Sequence, residues 1–267
     1  LCSNRKVSEA LYYFRRMKKM RISPSIILYT KMIKSLVEIN WMRDAIKLVR
    51  DVQKGIQTDC VLDTVVIEAF LKSRYCNEAV AYFEEKLEKG TVDDDMLLVF
   101  CQGLLKLGKL DLAIHYFELF LKNYSVNVKT YSRWIHYLIT FRHIDQAEKF
   151  FEKMAQYGIQ PNTNSYNIMI HGLIRANLSE KAEHLFEEMK NKLEPDTVTY
   201  NTLINGFLKN GNTEKARKYF SIILEDRSPK NFEELLNQFP KMRELSKDVL
   251  TIPDNVSYYL FIKMALD

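Results

Sequence analysis

The side chains best suited to chemistry in this 267-residue chain are five histidines, four cysteines and a run of three aspartates. His115, His136, His143, His171 and His184 belong to no H-E-x-x-H pair and flank no nucleophile elbow, so zinc hydrolysis and acyl transfer both lack their minimum set. Cys2, Cys60, Cys76 and Cys101 form no C-x-x-C pair and have apolar neighbours, as expected of reduced core thiols. Asp93, Asp94 and Asp95 resemble half of a metal site, but no further acidic group converges on them, and a solvated turn is expected. Neither a metal nor an organic cofactor is expected. The chemistry that remains is non-covalent recognition.

With 47% hydrophobic and 27% charged residues, the chain can bury a core and is unlike a disordered tail. Net charge is +5, from 39 basic against 34 acidic residues, and the isoelectric point lies near 8.8. That favours a polyanionic partner only slightly, so the placement of charge decides. No apolar run approaches the roughly 18 residues that span a bilayer; neither a membrane nor a small-molecule substrate is expected as a partner.

The elements that must position any recognition site show in a period. Ala10, Ala45, Ala79, Ala113, Ala147, Ala182 and Ala216 stand 34 or 35 residues apart, and Phe14, Val49, Phe83, Phe117, Phe151, Phe186 and Phe220 follow them by four. An alanine where two helices come closest, with a large apolar plug one turn later, lets a repeated unit bury its stripe against a neighbour. Upstream lies a second stripe at i, i+1 and i+4: Met32, Ile33 and Leu36; Val66, Ile67 and Phe70; Phe100, Cys101 and Leu104; Leu203, Ile204 and Phe207. It predicts a first helix in each unit. Between the stripes sit Asn40, Gly108, Asn177 or Gly211, which accept the left-handed conformation that ends a helix. Ser8, Asn77, Asp111, Asp145, Ser179 and Thr213 follow, and are predicted to cap the second helices.

The expected fold is therefore all-α, a solenoid of helix-turn-helix repeats whose first helices line a concave wall. Expected boundaries are 1–25 for a partial repeat, then 26–59, 60–93, 94–127, 128–162, 163–196 and 197–254, with a further unit starting at 255–267. Because the chain opens inside a repeat, any targeting segment is expected upstream of Leu1. The unit from Thr197 is longer than the others by about 23 residues. Within it Phe232, Leu235, Leu236 and Phe239, then Met242, Leu245 and Val249, predict two short amphipathic helices near 228–250.

The stretch T-V-T-Y-N-T-L-I-N-G-F-L-K-N-G-N-T-E-K-A-R-K-Y-F from Thr197 to Phe220 resembles the pentatricopeptide repeat signature nearly residue for residue. So does 163–196, together with V-K-T-Y-S from Val128 and Y-G-I-Q-P-N ending at Asn162. Pro161-Asn162, Pro195-Asp196 and Pro253-Asp254 separate this pattern from tetratricopeptide repeats, which share its period and its alanine-to-phenylalanine spacing. The units at 60–93 and 94–127 are degenerate, with Asp63 and Leu97 in place of the usual aromatic. The resemblance, to the P-type organellar RNA-binding branch, implies a right-handed superhelix.

It also implies one nucleotide read per repeat, by the residue after the motif aromatic and by the last residue of the repeat. Thr30 with Asp59 and Thr64 with Asp93 are similar to the family's guanine pair, Ser132 with Asn162 to its adenine pair, and Asn167 with Asp196 to its uracil pair. Leu98 with Asn127 matches none, so the implied footprint from the 5′ end is G, G, any base, A, U. Asn201, paired with Asp254 across the insertion, resembles a further uracil reader. Ile27, Val61, Val198 and Val256 would sandwich bases, a row interrupted by Asp95, Lys129 and Asn164. Eight residues past the reader, on the same helix face, Lys72, Lys106, Arg175 and Lys209 form a basic row suited to phosphates, broken by Glu38 and Thr140. His136 and His171, four past the reader, are expected to reach bases.

The function implied is binding of single-stranded RNA in a mitochondrion or chloroplast, for transcript stability, processing or translation. A second expectation is a structural part in a mitochondrial ribosome, gripping ribosomal RNA and ribosomal proteins. Leu98, the two degenerate units and the inserted helices favour it. No enzyme activity is expected within these residues.

Overall fold

A computed structural model describes residues 2–53, 58–212, 214–216 and 218–219, with backbone alone for 2–5 and 197. Two compact units emerge, 1–137 and 138–267. In the first, α1 (Cys2–Lys19) precedes three hairpins: α2 (Ile26–Glu38) with α3 (Met42–Gln53), α4 (Cys60–Lys72) with α5 (Cys76–Glu88), and α6 (Asp94–Lys106) with α7 (Leu110–Asn123). The division between units falls inside α8 (Val128–Thr140). The second unit holds α9 (Ile144–Lys153) with a 3-10 turn over Met154–Tyr157, then α10 (Thr163–Arg175), α11 (Ser179–Lys190) and α12 (Thr197–Lys209). Among the described residues there is no strand, and no helix is long and apolar enough to cross a membrane.

First helices begin at Ile26, Cys60, Asp94, Val128, Thr163 and Thr197, which is the 34- to 35-residue period of the sequence. The all-α repeat architecture is thus the observed one. Within each unit first helices pack side by side, α2 on α4 on α6, and α10 on α12. Glycine sets how close they come. A Cβ on Gly103 would lie 2.4 Å from Leu71 Cδ1, and one on Gly206 would lie 2.9 Å from Ile174 Cγ2.

The alanine and its plug work as the period requires. Ala45, Ala79, Ala113, Ala147, Ala182 and Ala216 are fully buried, and where the next first helix carries a tyrosine the plug phenylalanine meets it edge-on, whereas Val49 is aliphatic and Phe83 stacks on Phe100 instead. Ring centroids are 5.2 Å apart for Phe14–Tyr29, 5.6 Å for Phe117–Tyr131, 5.0 Å for Phe151–Tyr166 and 5.7 Å for Phe186–Tyr200. Each such pair adds about 0.5–1.5 kcal/mol beyond its area. Ala10 is exposed, because the described residues contain no first helix for α1 to pack on within its own repeat. Phe220 lies outside the described residues.

The hairpin turns hold one left-handed residue each. Asn40, Gly108, Asn177 and Gly211 have φ of 62°, 71°, 60° and 74°, as expected, but Arg74 and Arg142 adopt the same conformation at 63° and 66°. Fold demand overrides residue preference there, at about 1–2 kcal/mol for a non-glycine residue.

Capping of the second helices differs from expectation. The helices start one residue early at Ser179 and two at the others, so Asn77, Asp111, Asp145 and Ser179 lie in their first turns, while Ser8 lies inside α1. The cap positions belong to Tyr75, Lys109, His143 and Leu178, without side-chain cap bonds. Their backbone carbonyls accept from the motif alanine, as Tyr75 does from the Ala79 N–H at 3.0 Å, because the left-handed residue leads straight into the next helix. Asn212 does cap by side chain, accepting from the Lys215 N–H at 3.2 Å; Thr213 lies outside the described residues. The cysteines also divide: Cys101 is buried, which pushes its thiol pKa up, whereas Cys60 is exposed at the start of α4 rather than in a core.

Candidate nucleic-acid interface

Burial at the motif position, of Tyr29, Asp63, Leu97, Tyr131 and Tyr166 and partly of Tyr200, fixes the rotation of each first helix and with it the facing of the next residue. Thr30 and Thr64 are half-buried, and their hydroxyls donate to the carbonyls of Ile26 (2.9 Å) and Cys60 (2.7 Å). With the proton so engaged, each oxygen offers lone pairs outward. Ser132, Asn167 and Asn201 are buried, and Leu98 completely so. Asn167 Oδ1 has no hydrogen-bond partner among the described residues, a situation that costs about 1–3 kcal/mol if nothing else satisfies it.

The second member of each pair is the N-cap of the following first helix, a role the sequence reading had assigned elsewhere. Asp59 Oδ1 accepts from the Leu62 N–H and Asp93 Oδ1 from the Met96 N–H, both at 2.8 Å. Asp196 Oδ1 accepts from the N–H and the hydroxyl of Thr199, both at 2.8 Å, and Asn162 Oδ1 from the Ser165 N–H at 3.0 Å. Such caps contribute about 0.5–2 kcal/mol each. They also fix which half of the head group remains available. A capping aspartate leaves a second acceptor oxygen; a capping asparagine leaves an NH2 donor. The signal was present as Asp or Asn three residues before Ser165 or Thr199, a capping box.

The polar side chains of the 94–127 unit are engaged by one another and by the next first helix. Asn127 Oδ1 accepts from the Thr130 N–H, while its Nδ2 donates to Asp94 Oδ2, both at 2.9 Å. Asp94 Oδ2 also accepts from the Thr130 hydroxyl at 2.6 Å. Arg133 reaches back from α8 to Asp95 at 3.0 Å. The aspartate run keeps the solvent exposure expected of it at Asp93 and Asp95, but it opens a helix rather than forming a turn: Asp93 caps α6, Asp94 ties α6 to α8 and Asp95 holds Arg133. Stacked helices bring together residues more than 30 positions apart, which the sequence alone did not show.

Between α10 and α12 lies an open cleft of about 590 Å³ lined by Val198, Asn201, His171, Asn205, Arg175 and Lys209 among others. It gathers one residue expected to sandwich a base (Val198), one expected to read it (Asn201) and two of the expected basic row (Arg175 and Lys209). A smaller cleft of about 300 Å³ between α4 and α6 is lined by Glu68, Lys72, Arg74, Gln102 and Lys106. Arg74 is a cation the sequence reading missed, placed there by its left-handed turn. Lys72 is bonded to Glu68 at 2.8 Å, so it is partly neutralised, whereas Lys106, Arg175 and Lys209 form no ion pair among the described residues. Ile27, Val61 and Val198 are more than half exposed, unusual for large aliphatic side chains, while Asp95, Lys129 and Asn164 replace them with polar surface. Val256, Asp254 and the 228–250 segment lie outside the described residues.

Family models match along the chain. The pentatricopeptide repeat domain covers 1–38, PPR repeat models cover 64–91, 164–192 and 191–221, and the PPR repeat family covers 126–175. The chain belongs to the pentatricopeptide repeat family. A putative pentatricopeptide repeat-containing protein of Arabidopsis thaliana is 28% identical over 193 residues, 71% of this chain and 37% of that one. A second Arabidopsis thaliana relative, named as mitochondrial, is 29% identical over 192 residues, 70% of this chain and 33% of that one. The chain thus spans about a third of the length of these relatives. The fold matches the crystal structure of the pentatricopeptide repeat protein PPR10 from maize with a TM-score of 0.61 at 20% identity, over 98% of this chain and 40% of that one. PPR10 in complex with an 18-nt psaJ RNA element matches with a TM-score of 0.58 at 21% identity, over 76% of this chain and 29% of that one.

Proposed function

We propose that this pentatricopeptide chain binds single-stranded RNA, one nucleotide per competent repeat, and acts by occupying a transcript rather than by catalysis. The observation that carries the reading is the α10–α12 cleft, where Val198, Asn201, Arg175 and Lys209 converge from two first helices. Aliphatic, amide and cationic groups in that order suit a base face, a base edge and a phosphate. The complex of PPR10 with an RNA element supports the same ligand class.

The caps supply the discrimination. Guanine presents ring and amino N–H donors, which suits Thr30 or Thr64 lone pairs together with the free carboxylate oxygen of Asp59 or Asp93. Uracil offers one ring N–H, which suits the Asn167 Oδ1 acceptor and Asp196. Adenine presents a ring acceptor, which suits the free NH2 of Asn162. The 94–127 unit, with Leu98 buried and Asn127 engaged by Asp94, passes one nucleotide unread. Mitochondrial action is part of the proposal, supported by the naming of the Arabidopsis relatives.

The test is binding of the chain to short RNAs that differ only at the base assigned to Asn167 and Asp196. Asn167→Thr is expected to move the preference from U to G by about tenfold, the size of one good polar contact in discrimination. An unchanged preference overturns the coded reading.

A further inference from the structure

The nucleotide that no reader serves also lacks an apolar neighbour. In the row formed by the second residue of each first helix, Ile27, Val61 and Val198 are exposed aliphatics, but the third and fourth members are Asp95 and Lys129. A base set between those two would meet a carboxylate and a flexible ammonium, neither of which offers a broad face to stack on. Arg133 changes that. It lies one turn beyond Lys129 on the same face of α8, and its guanidinium reaches back across 38 positions to Asp95. Arg133 Nη1 donates to Asp95 Oδ1 at 3.0 Å, and its Nη2 donates to the Tyr137 hydroxyl at 3.4 Å. Two bonds from two nitrogens of a planar group fix its plane as well as its position. The side chain remains 43% exposed, so that plane is held at the surface, at the Asp95 position of the row.

We propose that Arg133 is the stacking platform for the third nucleotide, its guanidinium plane taking the face of whichever base stands there. The inference rests on the RNA reading above and gives Arg133 a role that neither the reading pairs nor the basic row covers. Guanidinium planes stack on bases, and such stacking tolerates any sequence because every base has a π-face. The slot beside the buried Leu98 can thus hold a base that it does not read. Asp95 serves twice, orienting the guanidinium and being itself neutralised, where a bare carboxylate would repel the RNA. A phosphate role suits Arg133 less well, since Lys106 already stands at the basic-row position of the 94–127 unit, whereas Arg133 adjoins the reading residue Ser132.

The experiment uses the whole chain and RNAs of the sequence G-G-N-A-U whose third nucleotide is either intact or abasic. Losing that base is expected to weaken binding about tenfold, the size of one stacked base, although exchanging it for another base changes little. In Arg133→Lys, which keeps the charge but has no plane, the abasic substitution is expected to have no further effect. An abasic third nucleotide that binds the wild-type chain as tightly as an intact one, or the same penalty in variant and wild type, overturns the stacking assignment while RNA binding stands. If the wild-type chain binds no RNA at all, the reading beneath it fails as well. Should Arg133→Lys not fold, Asp95→Ser at its exposed position takes its place. It frees the guanidinium from its anchor, and the abasic penalty is expected to fall to about threefold or less; a penalty that stays near tenfold overturns the assignment.

Discussion

At the scale of single residues, one side chain serves folding and recognition together. Asn162 and Asp196 close the N-termini of α10 and α12 through Oδ1, and what they leave over is a donor in one case and an acceptor in the other. Asn162→Asp keeps the cap, since the two residues rank alike there, so stability is expected to change by less than about 0.5 kcal/mol in urea denaturation. The base preference at that nucleotide is expected to turn from A toward G in binding assays. Loss of stability without a change of preference would show that the cap is the whole role. This double duty was only half legible. Residue identities and spacing marked the positions, but the cap that fixes the head group depends on where each helix starts, and the sequence reading put side-chain caps on the wrong helices.

At the scale of elements, the repeat unit was legible because it answers to a steric rule that recurs. The departures were not, because their compensation comes from another helix. Asp63 in α4 stands where four other units have tyrosine, and Val49 before it stands where the others have phenylalanine. Asp63 is 2% exposed, yet it accepts from the Tyr82 hydroxyl at 2.6 Å and pairs with Lys86 at 2.9 Å. Lys86 in turn donates to the Thr58 hydroxyl at 2.6 Å. Burial, together with the Asp63 acceptor, pushes the Tyr82 phenol pKa upward. The unit called degenerate by its motif is thus closed by a buried polar network. Lys86→Met leaves the carboxylate buried and uncompensated, and is expected to cost about 3–5 kcal/mol. Asp63→Leu combined with Lys86→Met is expected to recover most of that, measured by denaturant midpoints. A double variant as unstable as the single one would mean that the pair is not what holds α4 to α5.

At the scale of the whole molecule, the chain carries two compact units, each with its own cleft between successive first helices. Polar contacts of Asp94 with Asn127 and of Asp95 with Arg133 join the 94–127 unit to the start of the next. The gap was visible in sequence as Leu98, but the exposed ion pair beside it was not, since Asp95 and Arg133 meet only when the repeats stack. Binding is therefore expected to tolerate any base at the third nucleotide, with affinities for the four bases there equal within about twofold, whereas a mismatch at a read position costs about 1 kcal/mol or more.

The most direct test of the account is selection of bound sequences from a random single-stranded RNA pool by the whole chain. The expected result is enrichment of G, G, any base, A, U in that 5′-to-3′ order, with the third position flat. Recovery of RNAs with no shared motif, or of double-stranded segments, would contradict the claim that capped first helices read one strand a base at a time.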